Sequence, residues 1–298
     1  VQTCALPIYT AQRKTVAPIV APSNLANMEG LIRERTAAVL DALPRGETFD
    51  WVDRVSTELT ALMLATLFDF PQADRRKLTW WSDVAIANVA DADAVVKSEA
   101  ERMAELTTMA QTMAALWQER AAQPPKFDLI SMMAHSEATR DMPTREFIGN
   151  FALLIVGGND TTRNSMTGGL MAVCQQPGEL AKVKADRGLL PGFVSEVIRW
   201  QTPVIHMRRT ATRDAELAGK TIRAGDKVVM WYVSGNRDEA SIEDAESFRI
   251  ERPKVRQHLA FGAGIHRCVG DRLAEMQLRI LWEEIRSEEH TSELQSRG

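Results

Sequence analysis

The residues best suited to chemistry lie in one stretch, Phe261-Gly-Ala-Gly-Ile-His-Arg-Cys268-Val-Gly270. A glycine-rich loop leads to a single cysteine, and an amphipathic segment, Asp271 to Ile285, follows at once. If that segment is a helix, Cys268 sits beside its N-terminus, where the dipole and free N–H groups favour thiolate over thiol. A thiolate on such a loop suits a metal ligand. Gly262, Gly264 and Gly270 allow positive φ and let a flat object approach the backbone. Plainer readings compete. A lone cysteine is usually a small buried hydrophobe, and a Gly-rich stretch is usually a turn. Zinc would find His258, His266 and Cys268 close together, but no fourth ligand falls at zinc spacing. A dinucleotide fingerprint needs G-x-G-x-x-G, and here the third glycine comes too late. Haem iron also takes a cysteine thiolate. On spacing alone, that reading and the plain ones remain open together.

Two further patterns could carry function. Pro143 to Gln176 is the longest helical pattern, with Phe147, Phe151, Leu154 and Ile155 on one face. Inside it stands Gly157-Gly158-Asn159-Asp160-Thr161-Thr162. Two glycines in a helix interior cost ~1 kcal/mol each against Ala, and Asp and Thr compete for backbone hydrogen bonds. A helix that carries these penalties usually has a kink or a close approach; the plain reading is a poorly formed helix end. Downstream, Glu196 and Arg199 form an i,i+3 pair on one helix face, which is usually surface decoration.

Phe-Gly-x-Gly-x-His-x-Cys-x-Gly resembles the haem-binding loop of the cytochromes P-450 at every fixed position, and the other motifs follow in that family's order. The resemblance implies a mainly α fold with a small β region and a haem b (iron protoporphyrin IX) cofactor with Cys268 as axial iron ligand. Phe261, Gly262, His266 and Gly270 complete the loop. It implies that Gly157 and Gly158 cross the haem face and make room for O2 and substrate. Thr161 matches the residue that hydrogen-bonds the dioxygen, and Asp160 the acid that relays protons to it. Glu196 and Arg199 match a buried Glu-x-x-Arg pair locked to an arginine before the haem loop, for which Arg252 is the best match. Arg13, Arg209 and His266 match propionate partners, with His258 as a further helper. Tyr9 stands where close relatives often carry His. Leu154, Val204, Ile205 and Met207 are expected to line the substrate space.

The activity so implied is a haem-thiolate monooxygenase that inserts one oxygen atom of O2 into a C–H bond. Pro203 to Thr210 and Trp231 to Asp238 look like the soluble bacterial branch that hydroxylates terminal carbons of alkanes and fatty acids. That branch takes electrons from a ferredoxin and its NAD(P)H-dependent reductase. Basic residues around Arg267 and Arg272 could meet an acidic ferredoxin; the plain reading is a solvated basic face. Two rival classes stand beside this one: a non-catalytic haem-thiolate sensor or carrier, against which the Asp160-Thr161 pair argues, and an inactive fragment.

The elements that must position these residues are legible along the chain. It has 298 residues, 45% hydrophobic and 26% charged, with a net charge of −4, which leaves no basic footprint for nucleic acid. No apolar run reaches the ~20 residues needed to span a bilayer. Cys4, Cys174 and Cys268 are odd in number and far apart, which argues against a disulfide framework and for a reducing cytoplasm. Helical patterns are read at Tyr9–Val20 and Leu25–Leu43, and after an Asp50 cap at Trp51–Phe68 with Val52, Val55, Leu59, Leu62, Met63 and Phe68 as one core stripe. Asp74 to Gln123 reads as Ala- and Met-rich helices, with Trp80 and Trp81 favoured as core over channel lining. Phe193–Trp200 is a further helix, and Val204–Thr210 with Leu217–Val233 reads as a small sheet turning at Ala218-Gly219 and Ala224-Gly225-Asp226.

Residues 9–285 are expected to form the domain. Residues 1–8 and 286–298 break the pattern and resemble translated adapter read-through. The resemblance begins at the family's third helix, so the N-terminal helices, the first sheet strands and the terminal hairpin are expected to be lacking.

Overall fold

A computed structural model describes the backbone of residues 6–287 and the side chains of residues 9–285. Apart from helical backbone at 6–8 and 286–287, the readings of residues 1–8 and 286–298 lie outside the described residues. The helices are α1 (Leu6–Val16), α2 (Pro22–Asp41), α3 (Glu58–Phe68), α4 (Arg76–Ile86), α5 (Glu99–Ala121), α6 (Leu129–His135), α7 (Thr144–Gln175), α8 (Pro177–Ala185), α9 (Leu190–Gln201), α10 (Tyr232–Gly235) and α11 (Asp271–Ser287). Between α9 and α10 lie β1 (His206–Thr210), β2 (Ala215–Leu217), β3 (Lys220–Ile222) and β4 (Lys227–Trp231). The fold is thus mostly helical with a small β region, as expected. The chain divides into two compact units, residues 168–268 and residues 6–167 together with 269–287.

In the larger unit the helix starts follow capping chemistry. Ser98 accepts the Glu101 amide at the head of α5, and the Glu101 carboxylate reaches back to the Lys97 amide at 2.7 Å, a variant of the capping box. Asp128 takes the Ser131 amide at 2.8 Å to open α6. Asp50 takes the Asp53 amide at 3.0 Å, as the cap reading expects. The α3 helix does not begin directly after this cap, because Val52–Thr57 forms a π-helical turn. The wider turn shifts the register, so Val52 is exposed and does not belong to the core stripe, while Val55, Leu59, Met63 and Phe68 do.

The core of this unit gathers Leu64, Phe68, Leu78, Trp81, Met109, Met113, Ile130, Phe151 and Ile155. Phe151 packs with Phe68, Phe147 and Trp117 at centroid distances of 5.9, 4.7 and 6.2 Å, and the full burial of Phe68 and Phe151 stabilises by about 1.5–3 kcal/mol each. Trp81 is core; Trp80 is partly open and donates to Glu105 at 2.9 Å. An ion-pair network ties α2 to α11: Arg33 meets Glu283 and Glu284, and Arg279 meets Glu29 and Glu283.

In the smaller unit, Phe193, Val197 and Ile198 of α9 are buried, and Phe193 meets Phe248 edge-on at 6.2 Å. The expected sheet consists of two separate antiparallel pairs: β1 with β4, placing Arg209 opposite Val228, and β2 with β3. Ala218 and Gly219, both at positive φ (51° and 74°), close the second hairpin, which is the primed turn that a two-residue loop requires.

Candidate active site

The smaller unit builds the cysteine loop on a buried charge network. Glu196 and Arg199 sit one turn apart on α9 and are 0% and 1% exposed. Arg199 donates to both Glu196 oxygens, Nε at 2.7 Å and Nη2 at 2.8 Å. Arg252, itself buried, adds Nε to Glu196 Oε2 at 3.3 Å. The remaining guanidinium donors brace the irregular segment leading to the loop. Arg199 reaches the carbonyls of Asn236, Ala245 and Ser247; Arg252 reaches those of Glu243, Asp244 and Ser247. Asn236 extends the chain of contacts, donating to Thr202 Oγ1 at 2.8 Å and accepting the Leu259 amide at 2.6 Å. The pair read from spacing is therefore a fully buried scaffold and not surface decoration.

Phe261 to Cys268 closes on itself. The Cys268 amide donates to Phe261 O at 2.8 Å, and the Arg267 amide to Gly264 O at 3.1 Å across a short 3₁₀ turn, Gly264–His266. Gly262 and Gly264 have φ of +68° and +66°, which side chains resist. Gly270 is not among the positive-φ glycines; its carbonyl accepts the Ala274 amide at the first turn of α11. A side chain at Gly262 would approach the Tyr232 hydroxyl at 3.7 Å, and Val233 N donates to Ile205 O, which links α10 to the entry of β1. Cys268, His266 and Ile265 are exposed, as are Leu259, Ile205 and Met207; Val204 and Arg209 are half-buried. Arg209 Nη1 donates to its neighbour's carbonyl, Arg208 O.

His258 is buried with its ring 5.5 Å from that of Phe261, and its Nδ1 has no partner among the described residues. Burial first, then the charges of Arg267 and Arg199, push its pKa down to about 4. It is a neutral packing residue between the charge network and the loop.

In the larger unit α7 runs unbroken through both glycines. Its Phe151, Ile155, Asn159 and Thr162 are buried, whereas Leu153 and Gly157 are exposed and Thr161 is half-exposed. Leu153, Gly157 and Thr161 follow at i,i+4 spacing and form one open stripe. The Thr161 hydroxyl donates to Gly157 O at 3.0 Å. The two glycines do different work. A Cβ on Gly157 would meet nothing within 4 Å, whereas one on Gly158 would lie 2.8 Å from Leu64 Cδ2. Gly158 thus serves the contact of α7 with α3 and not the open stripe. Leu154 likewise packs partly against the core; its neighbour Leu153 is the exposed leucine. On α1, Arg13 donates to the Tyr9 hydroxyl at 3.0 Å.

Sequence reasoning missed the partners of Asp160. Arg163 Nη2 donates to Asp160 Oδ1 at 2.7 Å and to Asp83 Oδ1 of α4, also at 2.7 Å, while Nη1 reaches Asp83 Oδ2 at 3.3 Å. Burial would lower the Arg163 pKa, but the hydrogen bonds it donates to Asp83 and Asp160 outweigh it and raise it. The i,i+3 spacing of Asp160 and Arg163 was visible in the sequence; Asp83 was not.

Each unit by itself offers features that suit part of a flat, mostly apolar, anionic macrocycle. In the smaller unit an exposed thiol stands on a loop whose glycines hold side chains away, and Arg209 and His266 offer donors for carboxylates. In the larger unit the Leu153–Gly157–Thr161 stripe of α7 lies open, and Arg13 offers a further donor. Among the described residues no group of three or more His, Cys, Asp or Glu could hold a metal ion, which leaves the zinc reading without a ligand set. No helix among them is long and apolar enough to cross a membrane.

The chain belongs to the cytochrome P450 family, whose pattern it matches over residues 11–285. Linalool 8-monooxygenase of Pseudomonas putida is 39% identical over 279 residues, covering 93% of this chain and 68% of that protein. The methyl-branched lipid omega-hydroxylase of Mycobacterium tuberculosis is 32% identical over 286 residues, covering 94% of this chain and 66% of that protein. The solved cytochrome P450-153 of Novosphingobium aromaticivorans is 50% identical with a TM-score of 0.87, covering 95% of this chain and 69% of that one. The protein is a haem b-dependent P450 monooxygenase.

Proposed function

We propose that this P450 oxidises the terminal carbon of an alkane or fatty acid, with electrons from a ferredoxin and its NAD(P)H-dependent reductase. The observation that carries the substrate class is the open apolar pair Ile205 and Met207 at the entry of β1. An omega-hydroxylase among the relatives, aligned with 94% of this chain, supports terminal attack.

Haem b, when bound, supplies the activation of O2 and the oxidation of the C–H bond, and the protein supplies orientation and protons. Cys268 would hold the iron, with Arg13, Arg209 and His266 on the propionates. The Thr161 Oγ–H is parked on Gly157 O and must leave that carbonyl to serve dioxygen. Arg163 occupies Asp160 Oδ1, which leaves Oδ2 to pick up and pass a proton.

A second reading, oxidation of a terpene alcohol, has the 39% identity to linalool 8-monooxygenase behind it. Competition among octane, a medium-chain fatty acid and linalool separates the two. The linear substrates are expected to win; preference for linalool overturns the first reading in favour of the second.

A further inference from the structure

Arg163 is shared. One guanidinium serves two carboxylates: Asp160 one turn earlier on α7, and Asp83 on α4. Its side chain is 16% exposed, against 23% for Asp160 and 28% for Asp83, so solvent screens the trio only in part. Nη2 lies 2.7 Å from one oxygen of each acid, so a single nitrogen divides its donors between them. The neighbouring ties of α7 are of another kind: Asn159 meets Thr60 at 2.7 Å and Thr167 meets Ser56 at 3.0 Å, and neither touches α4. Asp83 is thus joined through one residue to the acid assigned to proton delivery.

We propose that Arg163 is a positioning residue that links the seating of α4 to the proton-carrying competence of Asp160. With Asp83 in place, Arg163 is divided and Asp160 keeps Oδ2 free to exchange protons. Without Asp83 the whole cation falls to Asp160, the pair tightens, and proton transfer slows. The same link runs backwards. Coupling between two sites is reciprocal, so a change of charge at Asp160 must alter how firmly α4 is held. The catalytic half of this inference rests on the relay reading of Asp160; the link to α4 does not.

Hydrogen–deuterium exchange of residues 76–86 in the purified holoenzyme tests the link without turnover. Asp83→Asn and Arg163→Gln should speed exchange about fivefold, the scale of a well-formed, half-buried ion pair. Asp160→Asn should slow it about twofold, because Arg163 then belongs to Asp83 alone, and Arg163→Lys should restore part of the protection. A merely structural Arg163 would not produce the slowing, so unchanged exchange in Asp160→Asn overturns the link. Product formed per electron consumed tests the catalytic half. It should fall in Asp83→Asn, and Asp83→Asn should add nothing in an Asp160→Asn background. If Asp160→Asn lowers the yield but Asp83→Asn does not, the relay stands and this inference falls. If Asp160→Asn itself keeps the wild-type yield, the relay reading falls and takes the catalytic half with it.

Discussion

Glu196→Gln isolates the contribution of the buried network to the cysteine loop. The substitution keeps the shape and removes one charge. Glu196 Oε1 accepts from Arg199 Nη2 and from the Arg249 amide, each at 2.8 Å, and Oε2 accepts from Arg199 Nε at 2.7 Å. A Gln side chain must present an NH2 to one of these sets, so donors face donors, and two buried guanidiniums lose their counter-ion. Coulomb attraction at ~4 Å with an effective dielectric near 20 is about 4 kcal/mol. One-sided loss from a buried pair costs about 3–5 kcal/mol. The effect should appear where the guanidiniums bond, at the carbonyls of Asn236, Glu243, Asp244, Ala245 and Ser247. At about 1.4 kcal/mol per decade, exchange of the amides in 236–252 should quicken about a hundred- to several-thousandfold. Arg249→Gln breaks an exposed pair with Asp244 on the same segment and should change exchange less than about fivefold. If Glu196→Gln stays within tenfold of wild type, the network is not what holds the segment.

Two further outcomes are expected from the same unit. His258 has a folded pKa lowered from 6.5 to about 4, so its neutral form is favoured on folding. The native state binds fewer protons than the unfolded one between those values. The stability is therefore fully present above pH 6.5 and lost as pH falls toward 4, by roughly 3 kcal/mol in all. Urea midpoints across that window should show the decline, and His258→Phe should flatten it; an equal slope in the variant refutes the assignment. Cys268→Ala should abolish the red-shifted Soret band of the thiolate-ligated ferrous CO complex, and a retained band would remove Cys268 as the ligand.

The loop was legible by its resemblance to the family's pattern, and only some of its positions answer a local constraint. Gly262 and Gly264 need left-handed backbone, and the cysteine must stay open. The Glu196–Arg199 pair was legible by its spacing, and Arg252 by resemblance to the family's pattern. The carbonyls those arginines grip were not, because bonds from side chain to backbone leave no mark on residue type at the acceptor. Val52 was misplaced for a related reason: a π-helical turn changes the period on which the stripe was counted. Asp83 was invisible because it lies 80 residues from Arg163 and nothing in its own segment requires a partner.

The paired glycines show how far a local cost can be read, and they yield the last prediction. Each costs α7 about 1 kcal/mol against Ala, which the sequence reveals. Successive helical residues point about 100° apart, so Gly157 and Gly158 cannot serve the same surface. The cost at Gly158 is offset by close packing on Leu64, only 2.8 Å from where a Cβ would stand. The cost at Gly157 is offset by no contact among the described residues, since its Cβ would meet nothing within 4 Å. If Gly157 makes room for the cofactor, as the resemblance implies, a group that covers the open stripe offsets that cost. Gly157→Ala should then stabilise the cofactor-free protein by about 1 kcal/mol in urea titration and weaken haem uptake. Gly158→Ala should leave uptake unchanged, and its stability should gain less, because Leu64 must shift to admit the methyl. Equal haem affinity in wild type and Gly157→Ala would mean that no bound group closes on that stripe, and that the glycine there answers to something other than the cofactor.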